Sequence, residues 1–172
     1  MRDQARGRTT LSVRRFRHAF VEWIDRHARD EGRGDAPYGA LSVFRISSTT
    51  VMRKEPTFGV TLGIVAQGSK TLRVHGRTLE IDPSHYLVVT REMQYDATVQ
   101  PASGLRPFLG VSITFPPELV AKAMVALADG GESGSGPPMA AFSAPLESVV
   151  AEPFSRLLKT VDDPVERRTL AP

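Results

Sequence analysis

Two histidines, three acidic residues and two tyrosines fall within one short segment of this sequence, VHGRTLEIDPSHYLVVTREMQY, residues 74–95. Imidazole and carboxylate groups are common ligands of catalytic transition metals, so the segment raises the question of a metal enzyme. His75 and His85 are separated by a turn, and no third histidine comes from the neighbouring segments. Glu80 and Asp82 are interpreted as outward-facing or turn residues. The segment by itself therefore gives weak support to a metal site.

Other catalytic chemistries find little support in the sequence. The chain of 172 residues contains no cysteine, which excludes disulfides, thiolate metal sites and cysteine nucleophiles. The Gly- and Ser-rich segment DGGESGSGPP, residues 129–138, does not contain the G-x-S-x-G pattern of a serine nucleophile elbow. We interpret this segment as a flexible surface loop, and the length of the chain favours one structural domain.

Hydrophobic periodicity predicts one helix, then short strands, then helices. Apolar residues recur at steps of three and four over 13–28, which predicts an amphipathic helix. Short runs between turn signals predict strands at 41–47, 58–67, 69–75, 77–81, 85–90, 93–100 and 106–115. Helical periods then follow at 117–128 and 145–161, with a short strand at 139–143 and a last helix opening at Val165. Many short strands at regular spacing indicate a β-sandwich or barrel.

The start of the sequence is basic, and its last predicted helix is short. The net charge is only +3, and the basic excess lies early; it consists of Arg2, Arg6, Arg8, Arg14, Arg15 and Arg17. This start is predicted to be a solvated tail, with phosphate contact as the alternative. No segment approaches the length of an apolar membrane span, so a cytoplasmic location is predicted. The last helix stops after about two turns, and we expect the sequence to be a piece of a longer protein.

Segments over most of the chain resemble a known family. They are LSVFRIS (41–47) and FGVTLGIVAQGSKTLRVHGRTLEIDPSHYLVV (58–89), within which VAQGSK and DPSHYLVV are the most specific parts. These residues resemble the N-terminal cupin-like sensor domain of AraC-type transcription regulators. The resemblance implies a mostly β fold, a cupin-like double-stranded β-helix barrel preceded by one helix and followed by C-terminal dimerisation helices. It also implies a C-terminal DNA-binding domain with two helix-turn-helix units, absent from this sequence.

The resemblance divides the chain into three regions of one structural domain. Residues 1–35 are expected to form the basic tail and amphipathic helix, and 38–116 the barrel. Residues 117–172 are expected to form the helical dimerisation region, with the flexible loop at 129–138. The metal-ligand patterns of metal-binding cupins are not matched: Thr61 and Tyr95 occupy two of the ligand positions. No cofactor and no metal are therefore expected.

A barrel without metal ligands still has an interior that could hold a ligand. Because strand residues alternate between two faces, Thr61, Gly63 and Val65 are expected to share one face, as are Phe108, Gly110 and Ser112. The predicted ligand-binding residues are Arg45, Thr61, Val65, Tyr95, Phe108 and Ser112. A core filled by these same side chains remains the alternative. Arg45 could anchor an anionic ligand, or form a salt bridge at the rim.

The sequence thus predicts the effector-sensing and dimerisation domain of an AraC-type regulator, which is not an enzyme. Its expected partners are a small organic effector of unknown identity, a second copy bound through the C-terminal helices, and DNA only through the missing domain. No membrane partner is expected. Two alternatives remain open: a stand-alone cupin-type metalloenzyme, and a purely structural dimerisation module.

Overall fold

Two antiparallel β-sheets form the centre of the protein, as a computed structural model shows for residues 16–36, 38–129 and 139–169. The six-stranded sheet contains, in spatial order, β1 (Gly32–Asp35), β2 (Leu41–Ile46), β9 (Phe108–Phe115), β4 (Val60–Gln67), β7 (His85–Val89) and β10 (Ala141–Pro145). The four-stranded sheet contains β3 (Thr50–Thr57), β8 (Met93–Gln100), β5 (Ser69–Val74) and β6 (Arg77–Ile81). The seven strands predicted between residues 41 and 115 are all present.

Helices flank the sheets in the order that the periodicity predicts. The first helix, α1, covers residues 16–27 of the described chain. Helix α2 spans Pro117–Asp129 and α3 spans Ser148–Asp162. The helix predicted at Val165 is a short 3₁₀ helix, Glu166–Thr169. The tail predicted before residue 16 lies outside the described residues, as does the predicted loop from residue 130 to 138.

The predicted fold class is confirmed, with one correction of its geometry. The domain is mostly β, with one helix before the sheets and helices after them. The two sheets pack face to face, and in the described ranges no ladder of hydrogen bonds closes them into a barrel. An open pair of sheets leaves its edge strands unpaired, so each edge needs residues that discourage further pairing.

Two strands lie outside the predicted set, and both are at sheet edges. Strand β1 has the sequence GRGD, and β3 has the sequence TVMRKEPT. Their polar side chains, glycines and proline remove the apolar alternation that marks a strand, but such residues are common on edges. Strand β3 also carries a bulge between Met52 and Glu55, where Lys54 has a φ of 50°. The bulge breaks the period-two pattern that the sequence would otherwise show.

The six-stranded sheet is buried on both faces, and successive residues of its central strands face different cores. Ile64 and Ala66 of β4, with Leu109 of β9, pack against α1 and α3. Val65 of β4 and Phe108 of β9 face the four-stranded sheet. The helical side is closed by a cluster of large side chains, namely Phe16, Phe20, Trp23, Ile24, Phe154, Leu158 and Val161. One sheet therefore separates a helix-covered core from a second, inter-sheet core.

The turn between β4 and β5 depends on Gly68. Its φ is +82°, in the left-handed region that L side chains rarely adopt. A Cβ atom at this position would lie 2.5 Å from the backbone oxygen of Gln100 and 3.1 Å from the Cα of Phe108. The turn carries the chain from one sheet to the other, so glycine at this position fixes how the two sheets meet.

Candidate ligand-binding cavity

A cavity of about 620 Å³ lies between the two sheets. Its wall is formed by strands of both sheets and is mostly apolar, with a small number of charged and hydroxyl groups. Phe58, Arg33 and Glu31 belong to the wall and are also exposed, so the cavity opens to solvent on their side. A cavity of this size accommodates a small organic molecule.

Five of the six predicted ligand-binding residues line this cavity. They are Thr61, Val65, Tyr95, Phe108 and Ser112. The alternation of β4 and β9 brings the first two together with the last two, because the register pairs Gly63 with Ser112 and Val65 with Gly110. Tyr95 comes from β8 of the opposite sheet. Their role in binding a ligand stays a prediction, but their common location follows from the period of the strands.

Glycines in two central strands widen the cavity. Gly63 and Gly110 both line it, and their neighbours across the ladder are Ser112 and Val65. A Cβ atom on Gly63 would have only Leu87 near it, at 3.8 Å. A Cβ atom on Gly110 would lie 3.1 Å from two ring carbons of Phe108. Side chains larger than hydrogen at these positions would therefore fill the cavity or displace the ring of Phe108.

Arg45, the sixth predicted residue, is not part of the cavity wall. Its neighbours in β2, Phe44 and Ile46, line the cavity, so Arg45 points to the opposite face of the sheet. Its Nε donates a hydrogen bond to the carbonyl oxygen of Ala28 at 2.6 Å, and its guanidinium pairs with the carboxylate of Asp25. The structure thus places Arg45 outside the cavity wall, in an ion pair with Asp25 near the end of α1, and favours the salt bridge over an anchor for an anionic ligand.

Lys70 is the main cavity residue that was not predicted. Its Nζ lies 3.4 Å from the hydroxyl oxygen of Tyr95 and 4.9 Å from the centre of the Tyr95 ring. Burial lowers the pKa of Lys70 to about 8, although the negative charge of Glu55 acts in the opposite direction. Burial raises the pKa of Tyr95, and Glu55 adds to that effect, so the phenol stays protonated at neutral pH.

A signal for Lys70 is present in the sequence of β5. Lys70, Leu72 and Val74 alternate with the more polar Thr71 and Arg73, and Leu72 and Val74 are fully buried or nearly so. A lysine in phase with two core residues therefore points inward. Because lysine prefers the protein surface, residue type alone does not indicate that Lys70 faces the interior.

The histidines of the opening segment do not form a metal site in the described chain. His75 lies in the β5–β6 hairpin with a φ of 46°. His85 Nδ1 donates a hydrogen bond to Oδ1 of Asp82 at 2.8 Å. Burial raises the pKa of Asp82, but hydrogen bonds from His85 and the Ser84 N–H outweigh it and leave the pKa lowered. Across residues 16–36, 38–129 and 139–169, no three His, Asp or Glu residues converge around a possible ion.

Comparison with known proteins identifies the class of this domain. A family model described as the AraC-type transcriptional regulator N-terminus matches residues 37–172. Because this match covers more than half of the chain, the protein belongs to that family. The resemblance noted in the sequence is confirmed, and the domain stands among transcription regulators rather than among enzymes. Within the described residues, no helix is both long and apolar enough to cross a membrane.

Among solved structures, the chain is similar to ToxT from Vibrio cholerae. The P21 crystal form aligns with a TM-score of 0.54 at 12% identity, over 69% of this chain and 46% of ToxT. The apo K231A variant from strain SCE256 aligns with a TM-score of 0.53 at 11% identity, over 70% and 46%. Wild-type ToxT with bound unsaturated fatty acid aligns with a TM-score of 0.51 at 11% identity, over 74% and 47%.

Identities this low establish a shared fold and nothing more specific. The chain spans less than half the length of the ToxT chains that it matches. A search of curated proteins gives no match.

Proposed function

We propose that this domain is the effector-sensing part of an AraC-type regulator, and that a small organic molecule occupies the cavity between the sheets. The observation that carries the proposal is the cavity itself, about 620 Å³ with a mostly apolar wall and a few polar groups. Small-molecule sites in proteins have typical volumes of roughly 300–1,000 Å³ and the same kind of wall. A purely structural module would have no need of this space.

ToxT supports the proposal by analogy of fold. One of its structures contains an unsaturated fatty acid, an elongated organic molecule. The two cavity glycines of the present chain give further support, because a glycine in a strand interior weakens the strand and often marks close approach of a ligand. The metalloenzyme alternative lacks a comparable observation, since the described residues contain no cluster of possible ligands.

The six-stranded sheet provides a route from the cavity to the helices. Its inner face lines the cavity through residues such as Val65 and Phe108, and its outer face packs against α1 and α3. A ligand on the inner face can therefore alter how α1 and α3 pack on the outer face. For such coupling, the effector must bind two arrangements of the domain with different affinities.

In the same proposal, the domain forms homodimers through its C-terminal helices, and α2 provides the contact surface because the apolar face of α3 is buried in the core. Four large apolar side chains on this helix are exposed, namely Leu119, Met124, Val125 and Leu127, with exposed fractions from 49% to 63%. Apolar side chains grouped on one helix favour burial against a partner. A second copy is the proposed partner, because a symmetric dimer places two identical helices together. DNA would be bound in the cytoplasm by a helix-turn-helix domain outside the present sequence.

The first experiment measures whether the cavity binds small apolar molecules. Thermal unfolding of the 172-residue chain is recorded with a panel of alcohols, aldehydes and carboxylic acids of six to ten carbons. Saturation at about 100 times Kd stabilises a folded protein by about 2.7 kcal/mol, which raises Tm measurably. The variant Gly63→Leu fills the cavity and is expected to abolish the shift.

The control is Gly39→Leu, since Gly39 is exposed and has no atom within 4 Å of its Cβ position. This variant is expected to respond to ligands as the wild type does. Equal ligand responses in the wild type and Gly63→Leu would contradict the proposal. Light scattering of Leu119→Glu and Met124→Glu tests the dimer separately, and a wild-type monomer at micromolar concentration would overturn that part.

A further inference from the structure

Lys70 differs from the other lysines of the chain in its surroundings. The sequence contains four lysines, at positions 54, 70, 122 and 159. Lys54, Lys122 and Lys159 are exposed. Lys70 lines the cavity instead, where its neighbours in the wall include Leu72 and Val99. An amine in an apolar cavity is the arrangement that proteins use to turn lysine into a nucleophile.

We infer that Lys70 is a covalent binding site: its amine forms a reversible imine with the carbonyl carbon of an aldehyde or ketone effector whose apolar part fills the cavity. This inference rests on the proposed function and names the chemical class of the effector. The groups that it requires, an amine and a phenol, are supplied by Lys70 and Tyr95, which both line the same space.

The protonation states of these groups suit the reaction. Imine formation requires a neutral amine, and the pKa of Lys70, lowered by burial to about 8, leaves roughly one molecule in ten neutral near pH 7. For an exposed lysine the neutral fraction is below about one in a thousand. In the described part of the chain, no carboxylate oxygen lies within 4.0 Å of Nζ, the distance limit for an ion pair. No ion pair therefore holds Lys70 in its protonated form.

The reaction balances without a further reactant. The lone pair of Nζ adds to the carbonyl carbon, a C–N bond forms, and the carbonyl oxygen takes a proton to give a carbinolamine. The C–O bond then breaks, and both amine protons leave with that oxygen as one water molecule. The Tyr95 hydroxyl, 3.4 Å from Nζ, is placed to donate a proton to the departing oxygen and to recover one afterwards. The phenol is protonated at neutral pH, because burial raises its pKa.

The charges of the wall give an organic acid no net advantage over a neutral carbonyl compound. In the described chain four charged residues line the cavity, namely Glu31, Arg33, Glu55 and Lys70, and their formal charges cancel. An anionic ligand would be attracted by Lys70 and Arg33 but repelled by Glu31 and Glu55, which line the same cavity. An aldehyde or ketone carries no charge and avoids this repulsion.

The test uses octanal as the carbonyl probe and sodium borohydride to reduce any imine to a stable secondary amine. Peptide mapping by mass spectrometry then compares the octyl adduct at Lys70 with the adduct at the three exposed lysines. We expect Lys70 to carry at least about tenfold more adduct than any of them at pH 7, because its neutral fraction is larger. Gly63→Leu is expected to reduce the adduct at Lys70 and to leave that at Lys122 unchanged.

Equal labelling of the four lysines, or adduct at Lys70 that survives Gly63→Leu unchanged, would overturn the inference. Lys70→Arg and Lys70→Met serve as second variants, and each must bind octanol while showing no excess adduct in this region. Octanol has the apolar body of octanal but no carbonyl group, so it separates the two proposals. Octanol binding without a Lys70 adduct would support the sensor proposal and contradict imine formation at Lys70. Tight octanoate binding that depends on Lys70, without an aldehyde adduct, would also contradict imine formation and would indicate an ion pair between Lys70 and the ligand.

Discussion

The indole Nε1 of Trp23 donates a hydrogen bond to Oδ1 of Asp162 across 2.9 Å and so joins α1 to the last residue of α3. Arg26 Nη2 lies 3.3 Å from Oδ2 of the same carboxylate, and His27 Nε2 lies 3.2 Å from Oδ1. The carboxylate of Asp162 therefore contacts three side chains of α1. Because both helices pack on the outer face of the six-stranded sheet, this link holds together the part of the domain that would respond to an occupied cavity.

The first prediction is that Asp162→Ala destabilises the domain by about 1–3 kcal/mol, since it leaves the half-enclosed indole N–H of Trp23 without its acceptor. Urea unfolding followed by tryptophan fluorescence measures the change, as Trp23 is the only tryptophan of the sequence. Glu152→Gln on the exposed side of α3 is the control and is expected to change stability by less than about 0.5 kcal/mol. A loss no larger than that of the control would contradict a structural role for the carboxylate.

Gly68→Ala is predicted to be among the most damaging single substitutions in the sheets. The added Cβ would meet the Gln100 carbonyl oxygen at 2.5 Å, and the residue would have to hold a φ of +82°. We expect a loss of about 3 kcal/mol or more in the free energy of unfolding. Gly39→Ala is the matched control, because Gly39 has no atom within 4 Å of its Cβ position. Thermal unfolding of both variants checks the difference, and similar Tm values would show that the turn relaxes easily.

The sequence predicts the inward residues of the central strands well and the edge strands poorly. The alternation in β4 and β9 follows from the pleat, so the shared inward direction of Thr61, Val65 and Ser112 is legible in the sequence pattern alone. The sequence does not predict strands β1 and β3, because edge strands carry polar residues and because a bulge at Lys54 interrupts the alternation of β3. A two-residue period gives the phase of a strand but does not say which face meets which neighbour.

Arg45 and Lys70 show this limit from opposite sides. Both are charged residues within predicted strands, and residue type gives the same expectation for each. Arg45 lies between Phe44 and Ile46, both cavity residues, so it emerges on the face that meets the end of α1. Lys70 is in phase with Leu72 and therefore enters the cavity. The difference depends on which face of each strand meets the opposite sheet, which is a property of the tertiary fold.

Arg45→Met is predicted to affect stability but not binding to the cavity. The substitution removes the hydrogen bond to the Ala28 carbonyl oxygen and the pairing with Asp25, so we expect a loss of about 1–2 kcal/mol. The affinity of the cavity for octanol is expected to stay within about twofold of the wild type, which corresponds to less than about 0.5 kcal/mol. Urea titration and calorimetric binding measure the two quantities. A tenfold loss of octanol affinity at unchanged stability would return Arg45 to the ligand site.

Lys70→Met is predicted to make the ligand-free domain more stable near neutral pH, by about 1–3 kcal/mol. The folded pKa of about 8 lies below the ordinary lysine value of 10.5, so at neutral pH the fold holds an ammonium in an unfavourable place. Between those two values the unfolded chain binds more protons at Lys70 than the folded chain does. Wild-type stability should therefore rise with pH through this window, relative to Lys70→Met, and the gap should close near the upper value.

Urea unfolding of both proteins from pH 6 to 11 tests this pH dependence. Lys122→Met serves as the control, because Lys122 is exposed on α2 and its removal should shift the curve by less than about 0.5 kcal/mol at every pH. Parallel stability curves for the wild type and Lys70→Met would mean that Lys70 is not strained as an ammonium in the folded domain. If removal of the Lys70 side chain stabilises the domain, the result would fit a lysine that is retained for ligand binding, since selection for packing alone would not keep it.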